Sequence, residues 1–168
     1  MATGATASAV TVSVGAPTPN TVTIQGKIQD FVDQYNSTID FVRSKTTEKK
    51  VASPQNASDR AKGVLAGDPA LTGLLTSMRA AVSDVFAGRP ATMKTLAQVG
   101  LSTGTASGTA AVNQDSVAGK LTLDKATLAT KLTDSLSDVK ALFTNISGAY
   151  TTKGLAQRLD TLVTAQIG

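Results

Sequence analysis

The sequence predicts a mainly α fold with a minor β component, in which long helices pack as an elongated bundle, accompanied by short strands or a hairpin. Two observations predict it. Apolar residues recur at helical spacing over most of the chain from Thr21 onwards, and only two short stretches alternate between apolar and polar residues. With 168 residues, of which 41% are hydrophobic, the chain is long enough for one compact domain with its own core.

The first element is a predicted strand within residues 9–15. Val10, Val12 and Val14 alternate there with Thr and Ser, which is typical of a strand with one buried face. Pro17 follows and breaks the pattern. Because a single strand has no partner for its backbone groups, we expect it to pair with later strands or with a piece of chain outside this sequence.

The first helix is predicted from Thr21, where the apolar period changes from that of a strand to that of a helix. Its seam, with Ile39 and Phe41 widening it, consists of Ile24, Ile28, Phe31, Tyr35, Thr38 and Val42. A heptad-like seam of this length predicts a long helix that packs lengthwise on other helices; the alternative is an ordinary amphipathic helix on a globular core. If Phe31 lies in the core, its replacement by Ala should cost about 3 to 5 kcal/mol.

The middle of the chain contains a polar connection and then a second helix. Residues 46–62 are predicted to be exposed, with parts that could be helical. Asp68 is a predicted N-cap and Pro69 the first helical residue. Gly88 and Pro90 are predicted to end the helix. Its apolar positions at helical spacing are Leu71, Leu74, Leu75, Met78, Val82, Val85 and Phe86. Met78 is interpreted as a core residue.

The second half alternates short strand and helix signals. A short helical turn over residues 92–99 is closed by Gly100, residues 101–118 are predicted to form a flexible hairpin or loop, and residues 120–124 alternate as a short strand. Asp124 is predicted to cap a helix, and Asp134 to start another. The apolar positions of these two helices are Leu128, Leu132, Leu136, Val139, Leu142 and Phe143.

A last amphipathic segment follows Gly148 and runs to the end of the sequence. Its apolar residues are Leu155, Leu159, Leu162, Val163 and Ile167. Because this stripe has no stop signal before Gly168, the pattern predicts a helix that is cut before its natural end.

The residue inventory argues against catalysis. The chain has no Cys, His or Trp, so thiolate and imidazole ligands, Cys nucleophiles and Ser-His-Asp triads are excluded. The acidic pairs Asp30/Asp33 and Asp134/Asp138 have no further ligand to complete a metal site and are interpreted as surface carboxylates. We therefore expect no enzyme activity, no catalytic residue, no metal and no cofactor.

The net charge of +4 is confined to one segment, residues 43–62. Arg43, Lys45, Lys49, Lys50, Arg60 and Lys62 stand there against Glu48 and Asp59. No aromatic residue lies between Phe41 and Phe86, so the segment lacks stacking rings, and we expect a solvated face and no nucleic-acid binding. No run approaches the roughly 20 apolar residues of a spanning helix, and no signal peptide is recognisable, so membrane insertion is not expected.

Five stretches, taken in order, carry a resemblance to a known family. They are residues 31–36 (FVDQYN), 63–68 (GVLAGD), 96–101 (LAQVGL), 119–124 (GKLTLD) and 139–143 (VKALF). Together they resemble the signature blocks of the C-terminal region of the bacterial flagellar filament cap proteins, the flagellar hook-associated protein 2 family. The resemblance extends over residues 21–160 and is weakest at residues 103–117.

The resemblance implies a structural and assembly protein that caps the filament tip, promotes flagellin incorporation and, in some bacteria, adheres to host surfaces. The implied partners are further copies in a ring-like homo-oligomer, flagellin, other hook-associated proteins and an export chaperone. The implied location is extracellular, at the flagellum tip, after export without a cleaved signal peptide. Residues 1–20 would be a strand and linker belonging to a β-rich domain, and residues 21–168 the C-terminal part of a helical leg, truncated at both ends relative to the family.

Other functions remain as alternatives. The first is another extracellular flagellar subunit or adhesive module, such as a flagellin-like or hook-junction protein; an enzyme and a regulatory helical binding module are further ones. Under the leading hypothesis, the residues expected to carry helix packing and assembly are Ile24, Ile28, Phe31, Tyr35, Val42, Leu155, Leu159 and Leu162.

Overall fold

The computed structural model describes residues 19–104 and 113–167, and helices dominate this part of the chain. The helices are α1 (Thr21–Thr47), α2 (Ala57–Ala61), α3 (Pro69–Ser83), α4 (Gln114–Ala118), α5 (Lys125–Asp134), α6 (Leu136–Thr144) and α7 (Leu155–Ile167). Short 3₁₀ helices cover Ala91–Met93, Leu96–Val99 and Tyr150–Thr152. Two strands, β1 (Leu101–Ser102) and β2 (Thr122–Leu123), pair antiparallel with Leu101 opposite Leu123. The predicted mainly α fold with a minor β component is confirmed, and the strand predicted at residues 9–15 lies outside the described residues.

Helix α1 buries one face, whose residues have heptad-like spacing. Asn20 caps its start, because the Asn20 side chain accepts a hydrogen bond of 3.0 Å from the Thr23 N–H. The helix packs on α3 and α5, while α7 packs on α3 and α6. The buried residues of α1 are Ile28, Val32, Tyr35, Ile39 and Val42. This spacing of four, three, four and three is that of a helix packed lengthwise on neighbours.

The predicted seam of α1 is wrong at Thr38 and Phe41, whereas Ile24 and Phe31 pack partly buried against the core. Ile24 and Phe31 are only half-buried, and Phe41 is 64% exposed. Thr38 is also exposed, and its hydroxyl donates to the Gln34 carbonyl instead of facing the core. Val32 and Ile39 fill the core, Phe31 packs partly buried against it, and Thr38 faces solvent.

Tyr35 is buried in this core, and within the described residues its hydroxyl has no hydrogen-bond partner. Burial raises the pKa of Tyr35 from 10.0 to about 12, and nearby Arg79 partly offsets this. The unfolded chain ionises first, so the stability due to protonated Tyr35 is complete below pH 10 and decreases as the pH rises towards 12.

We expect the wild type to lose about 2 kcal/mol of unfolding free energy between pH 10 and pH 12 relative to Tyr35→Phe. Urea unfolding of both proteins at each pH measures this difference. Deprotonation of the lysines affects both proteins equally and therefore does not contribute to the difference. Equal pH dependence in the wild type and Tyr35→Phe would contradict the burial argument.

Helix α3 begins as predicted but ends earlier. Asp68 accepts a hydrogen bond of 3.0 Å from the Leu71 N–H, and Pro69 occupies the first turn. The helix stops at Ser83, because Asp84 is extended and the Phe86 N–H donates to the Lys94 carbonyl at 2.7 Å. Phe86 is consequently buried outside any helix, whereas Val85, predicted to be on the same apolar stripe, is exposed.

The Asn36 amide side chain joins α1 to the chain just before β2. Asn36 donates to the Leu121 carbonyl at 2.9 Å and accepts from the Leu121 N–H at 2.7 Å. Asp124 continues the attachment on the other side, since its N–H donates to the Gly100 carbonyl at 2.8 Å. The stretches around residues 36, 100 and 121, which carry the family resemblance, therefore meet at one place in the fold.

Three further predictions concern the connections. Asp134 is the last residue of α5 and does not start α6; the chain bends at Ser135, whose φ and ψ of −150° and 47° are not helical. The segment predicted as a loop at 101–118 contains β1 and α4, and its residues 105–112 lie outside the described part. The polar connection is exposed and includes the short helix α2, as expected.

Arg158 on α7 is a fully buried charged side chain, at 0% exposure. Its Nη2 donates to the carbonyls of Val85 (3.1 Å) and Thr151 (2.8 Å), and its Nε donates to that of Lys153 (3.2 Å). The guanidinium carbon lies 3.8 Å from the centre of the Phe86 ring. Burial lowers the pKa of Arg158 from its ordinary value, and the arrangement joins the end of α3 to the start of α7.

Candidate functional site

An open apolar groove of about 600 Å³ lies between the first half of α1, the α5–α6 junction and the start of α7. We call it the α1–α6 groove. Its floor is buried and consists of Ile28, Leu132, Val139 and Leu155. Its walls are half-buried and consist of Ile24, Phe31, Leu136 and Phe143. The groove therefore leaves apolar surface of the core open to solvent.

Two stripes of equal spacing build the groove. On α1, Ile24, Ile28 and Phe31 follow one another at intervals of four and three. On the other side, the intervals from Leu132 through Leu136 and Val139 to Phe143 are four, three and four. This stripe continues across the bend at Ser135, so two short helices present one continuous apolar edge. Such edges are typical of surfaces that receive another helix.

The side chains that line the groove are mostly apolar. Lys27 and Lys140 are exposed lining residues, and Lys27 forms an exposed ion pair of 3.5 Å with Asp30. The remaining lining residues are apolar or threonine, so the groove presents no carboxyl or imidazole group for proton transfer. It can bury apolar side chains of a partner element, at about 25 cal/mol for each Å² removed from water.

The structure brings together four of the eight residues predicted to carry helix packing. Ile24, Ile28, Phe31 and Leu155 all line the α1–α6 groove. Tyr35 and Val42 are buried on α1 away from it. Leu159 packs partly buried against the core, and Leu162 is half-buried further along α7.

The other wall was recognised in the sequence only as apolar positions of two helices. Leu132, Leu136, Val139 and Phe143 have the same four-three-four spacing as the start of α1. That shared spacing is the signal for a continuous edge. The helix boundary predicted at Asp134 lies inside this stripe and divides its residues between two helices.

Within residues 19–104 and 113–167, no cluster of three or more acidic, histidine or cysteine side chains could hold a metal ion. None of the helices in that same part of the chain is long and apolar enough to cross a membrane.

Comparison with known proteins places the chain in a family. The family model described as Flagellar hook-associated protein 2 C-terminus matches residues 2–168. Proteins named Flagellar hook-associated protein 2 from Escherichia coli O157:H7 and Escherichia coli K12 are each 32% identical over 125 residues. That match covers 74% of this chain and 24% of either relative.

A protein of the same name from Salmonella typhimurium LT2 is 30% identical over 115 residues, which covers 68% of this chain and 22% of the relative. The chain thus spans about a quarter of the length of the curated relatives it matches. No solved structure gives a significant match. Because the family model extends over nearly the whole sequence, the chain belongs to the flagellar hook-associated protein 2 family, whose C-terminal region it represents.

Proposed function

We propose that this chain is the C-terminal part of the helical leg of a flagellar filament cap, which caps the filament tip and promotes the incorporation of flagellin. In this proposal residues 21–168 form the leg part, and residues 1–20 are a strand and linker belonging to a β-rich domain. The protein acts outside the cell at the filament tip, after export without a cleaved signal peptide. Its role is structural, and the residues of the groove contact other protein and no substrate.

The observation that carries the proposal is the open α1–α6 groove in a chain of this family. Four buried and four half-buried apolar side chains face it, and two heptad-like edges border it. The matched relatives are about four times as long as the segment that this chain covers. We propose that a helix from the remainder of the protein fills the groove and completes the leg, because a helix satisfies its own backbone groups while burying its apolar face.

The proposed partners follow from this role. The completed protein forms a ring-like homo-oligomer and contacts flagellin, other hook-associated proteins and an export chaperone. The eight predicted residues divide accordingly: Ile24, Ile28, Phe31 and Leu155 receive the added helix, whereas Tyr35, Val42, Leu159 and Leu162 hold the leg part itself together.

Phe31 tests whether the groove is empty in this chain and filled in the longer protein. In the 168-residue chain, Phe31→Ala is expected to cost about 1 to 2 kcal/mol, because the ring is only half-buried. In the full-length protein the same change is expected to cost about 3 to 5 kcal/mol, as for a core phenylalanine. Urea unfolding of both forms measures the two values, and equal costs would show that nothing covers Phe31.

The function is tested by complementation of a strain that lacks its filament cap protein, using the full-length protein with Phe31→Asp. We expect short filaments and release of monomeric flagellin into the medium, because a carboxylate in the groove prevents the added helix from docking. The matched control is Phe41→Asp, since Phe41 lies on the same helix but is 64% exposed. Electron microscopy of filament lengths and immunoblots of the medium give the two readouts.

Three results would contradict the proposal. The first is a wild-type protein that does not restore filament growth. The second is normal filaments with Phe31→Asp when the variant is exported at the wild-type level. The third is incorporation of the wild-type protein along the filament, visible by immunogold labelling, which would favour the alternative of a flagellin-like subunit.

A further inference from the structure

A second, smaller cavity lies beyond the end of α1, within the basic segment. It has a volume of about 220 Å³ and is lined by the cations Lys50, Arg60 and Lys62, by one carboxylate, Asp59, and by the apolar residues Val51, Pro54 and Val64. We call it the basic pocket. It is separate from the α1–α6 groove, with which it shares no lining residue.

Hydrogen bonds from two backbone N–H groups hold the basic pocket in shape. The Gly63 N–H donates to Glu48 Oε2 at 3.0 Å, and the Gly67 N–H donates to the Thr46 carbonyl at 2.9 Å. Gly63 has a φ of +68°, and a Cβ there would lie 2.6 Å from the Lys50 backbone nitrogen. The loop after α2 is therefore pinned against the end of α1, which places Val64 beside Lys50.

Both carboxylates of the segment are already engaged. Glu48 accepts from Gly63 and lies 3.6 Å from Lys45, and the Gly63 N–H holds the pKa of Glu48 below its usual value. Asp59 pairs with Lys62 at 3.2 Å. Within the part of the chain that the structure describes, Lys50 and Arg60 form no ion pair. The pocket thus has an excess of positive charge that this chain does not compensate.

Exposed apolar residues accompany these cations. Val64 is 65% exposed and the adjacent Leu65 is 42% exposed. A nucleic acid would gain from cations together with aromatic rings, and residues 42–85 contain no aromatic residue. A protein surface that presents a carboxylate next to an apolar side chain matches both features of the pocket.

We propose that the basic pocket docks an acidic segment of another protein chain. Carboxylates of the partner bind Lys50 and Arg60, and a neighbouring apolar side chain packs on Val64 and Leu65. Arginine and lysine form charge-assisted hydrogen bonds with carboxylates, and the apolar contact adds burial that a free anion would not provide. This contact is independent of the helix that we propose for the α1–α6 groove.

Fluorescence anisotropy with two labelled peptides tests the proposal. One peptide alternates glutamate and leucine, and the other has glutamine in place of every glutamate. We expect the acidic peptide to bind at least about 10-fold more tightly, and its affinity to fall at least about 5-fold between 50 and 300 mM salt. Equal binding of the two peptides would overturn the proposal.

Variants then locate the site. Lys50→Glu with Arg60→Glu should weaken binding of the acidic peptide about 10-fold or more, and Val64→Ser should weaken it without a change in charge. The control is Lys94→Glu with Lys125→Glu, an equal change of charge at exposed lysines outside the pocket, which should leave binding within about 2-fold. If the double reversal does not fold, Lys50→Gln with Arg60→Gln replaces it.

Two further results would overturn the proposal. One is unchanged peptide binding by the folded pocket variants. The other is tighter binding of a labelled single-stranded oligonucleotide than of the acidic peptide, with the same dependence on Lys50 and Arg60, which would identify a nucleic-acid surface. If Phe31→Asp abolishes capping but the acidic peptide still binds, the basic pocket acts independently of the α1–α6 groove.

Discussion

Replacing Arg158 with Ala is expected to lower the free energy of unfolding by about 3 to 5 kcal/mol, the largest effect of any single change considered for this chain. The substitution removes the donors for three partly buried carbonyls, those of Val85, Thr151 and Lys153. It also removes the guanidinium from the face of the Phe86 ring, 3.8 Å away, a contact worth about 2 kcal/mol when desolvated. The carbonyls of Val85 and Lys153, which lose their donor, account for most of the loss, whereas the Thr151 carbonyl keeps the Ala87 N–H at 2.9 Å.

Urea unfolding followed by circular dichroism measures the effect. Arg158→Lys keeps the charge but not the planar fork, so we expect it to recover less than half of the loss. The control is Arg79→Ala, which removes a hydrogen bond of 2.6 Å to the Val117 carbonyl at an exposed site and should cost less than about 1 kcal/mol. A loss below about 1 kcal/mol for Arg158→Ala would contradict the role of Arg158 as the joint between α3 and α7.

The second large effect is expected at Gly100, where Ala should cost about 3 kcal/mol. Gly100 has a φ of +89°, which alone costs a residue with a side chain about 1 to 2 kcal/mol. Its Cβ would also lie 2.6 Å from the Asp124 carbonyl oxygen and 3.3 Å from the Leu128 nitrogen. These backbone atoms cannot move without breaking the Asp124 N–H bond to the Gly100 carbonyl and shifting the start of α5.

Gly67 provides the matched comparison. Its φ of +70° is similar, but a Cβ there meets no atom within 4 Å, so Gly67→Ala should cost only about 1 kcal/mol. Thermal and urea unfolding of both variants give the two costs, and their difference isolates the steric part. Equal costs at the two positions would show that the approach of Asp124 to Gly100 contributes nothing.

The starts of α3 and α5 could be predicted because they depend on local chemistry, whereas the start predicted at Asp134 was wrong. Asp68 and Asp124 cap α3 and α5 as expected, and the caps need only the side chain and the following backbone N–H groups. Helix ends were harder. Nothing local to Ser83 stops α3; the chain turns there because Phe86 becomes buried beneath Arg158, and that contact depends on a helix more than 70 residues further along.

The candidate site could also be predicted only in part from the sequence. The spacing of Ile24, Ile28 and Phe31 marks an apolar face, and these residues line the groove. Whether that face lies in the core of this chain or remains open depends on how many neighbouring helices the chain supplies. The predicted seam and the buried seam of α1 both have helical spacing and share Ile28, Tyr35 and Val42. The structure buries Val32 and Ile39 and leaves Phe31 half-buried.

The overlap of these two seams couples the stability of α1 to the occupancy of the groove. A helix that enters the groove touches Ile28, which also packs in the core against the rest of the chain. Because such a helix binds the folded chain and not the unfolded one, it acts thermodynamically as a ligand and raises the melting temperature in proportion to the logarithm of its effective concentration. If the groove is filled as proposed, folding of this chain and docking of the added helix are two stages of one equilibrium.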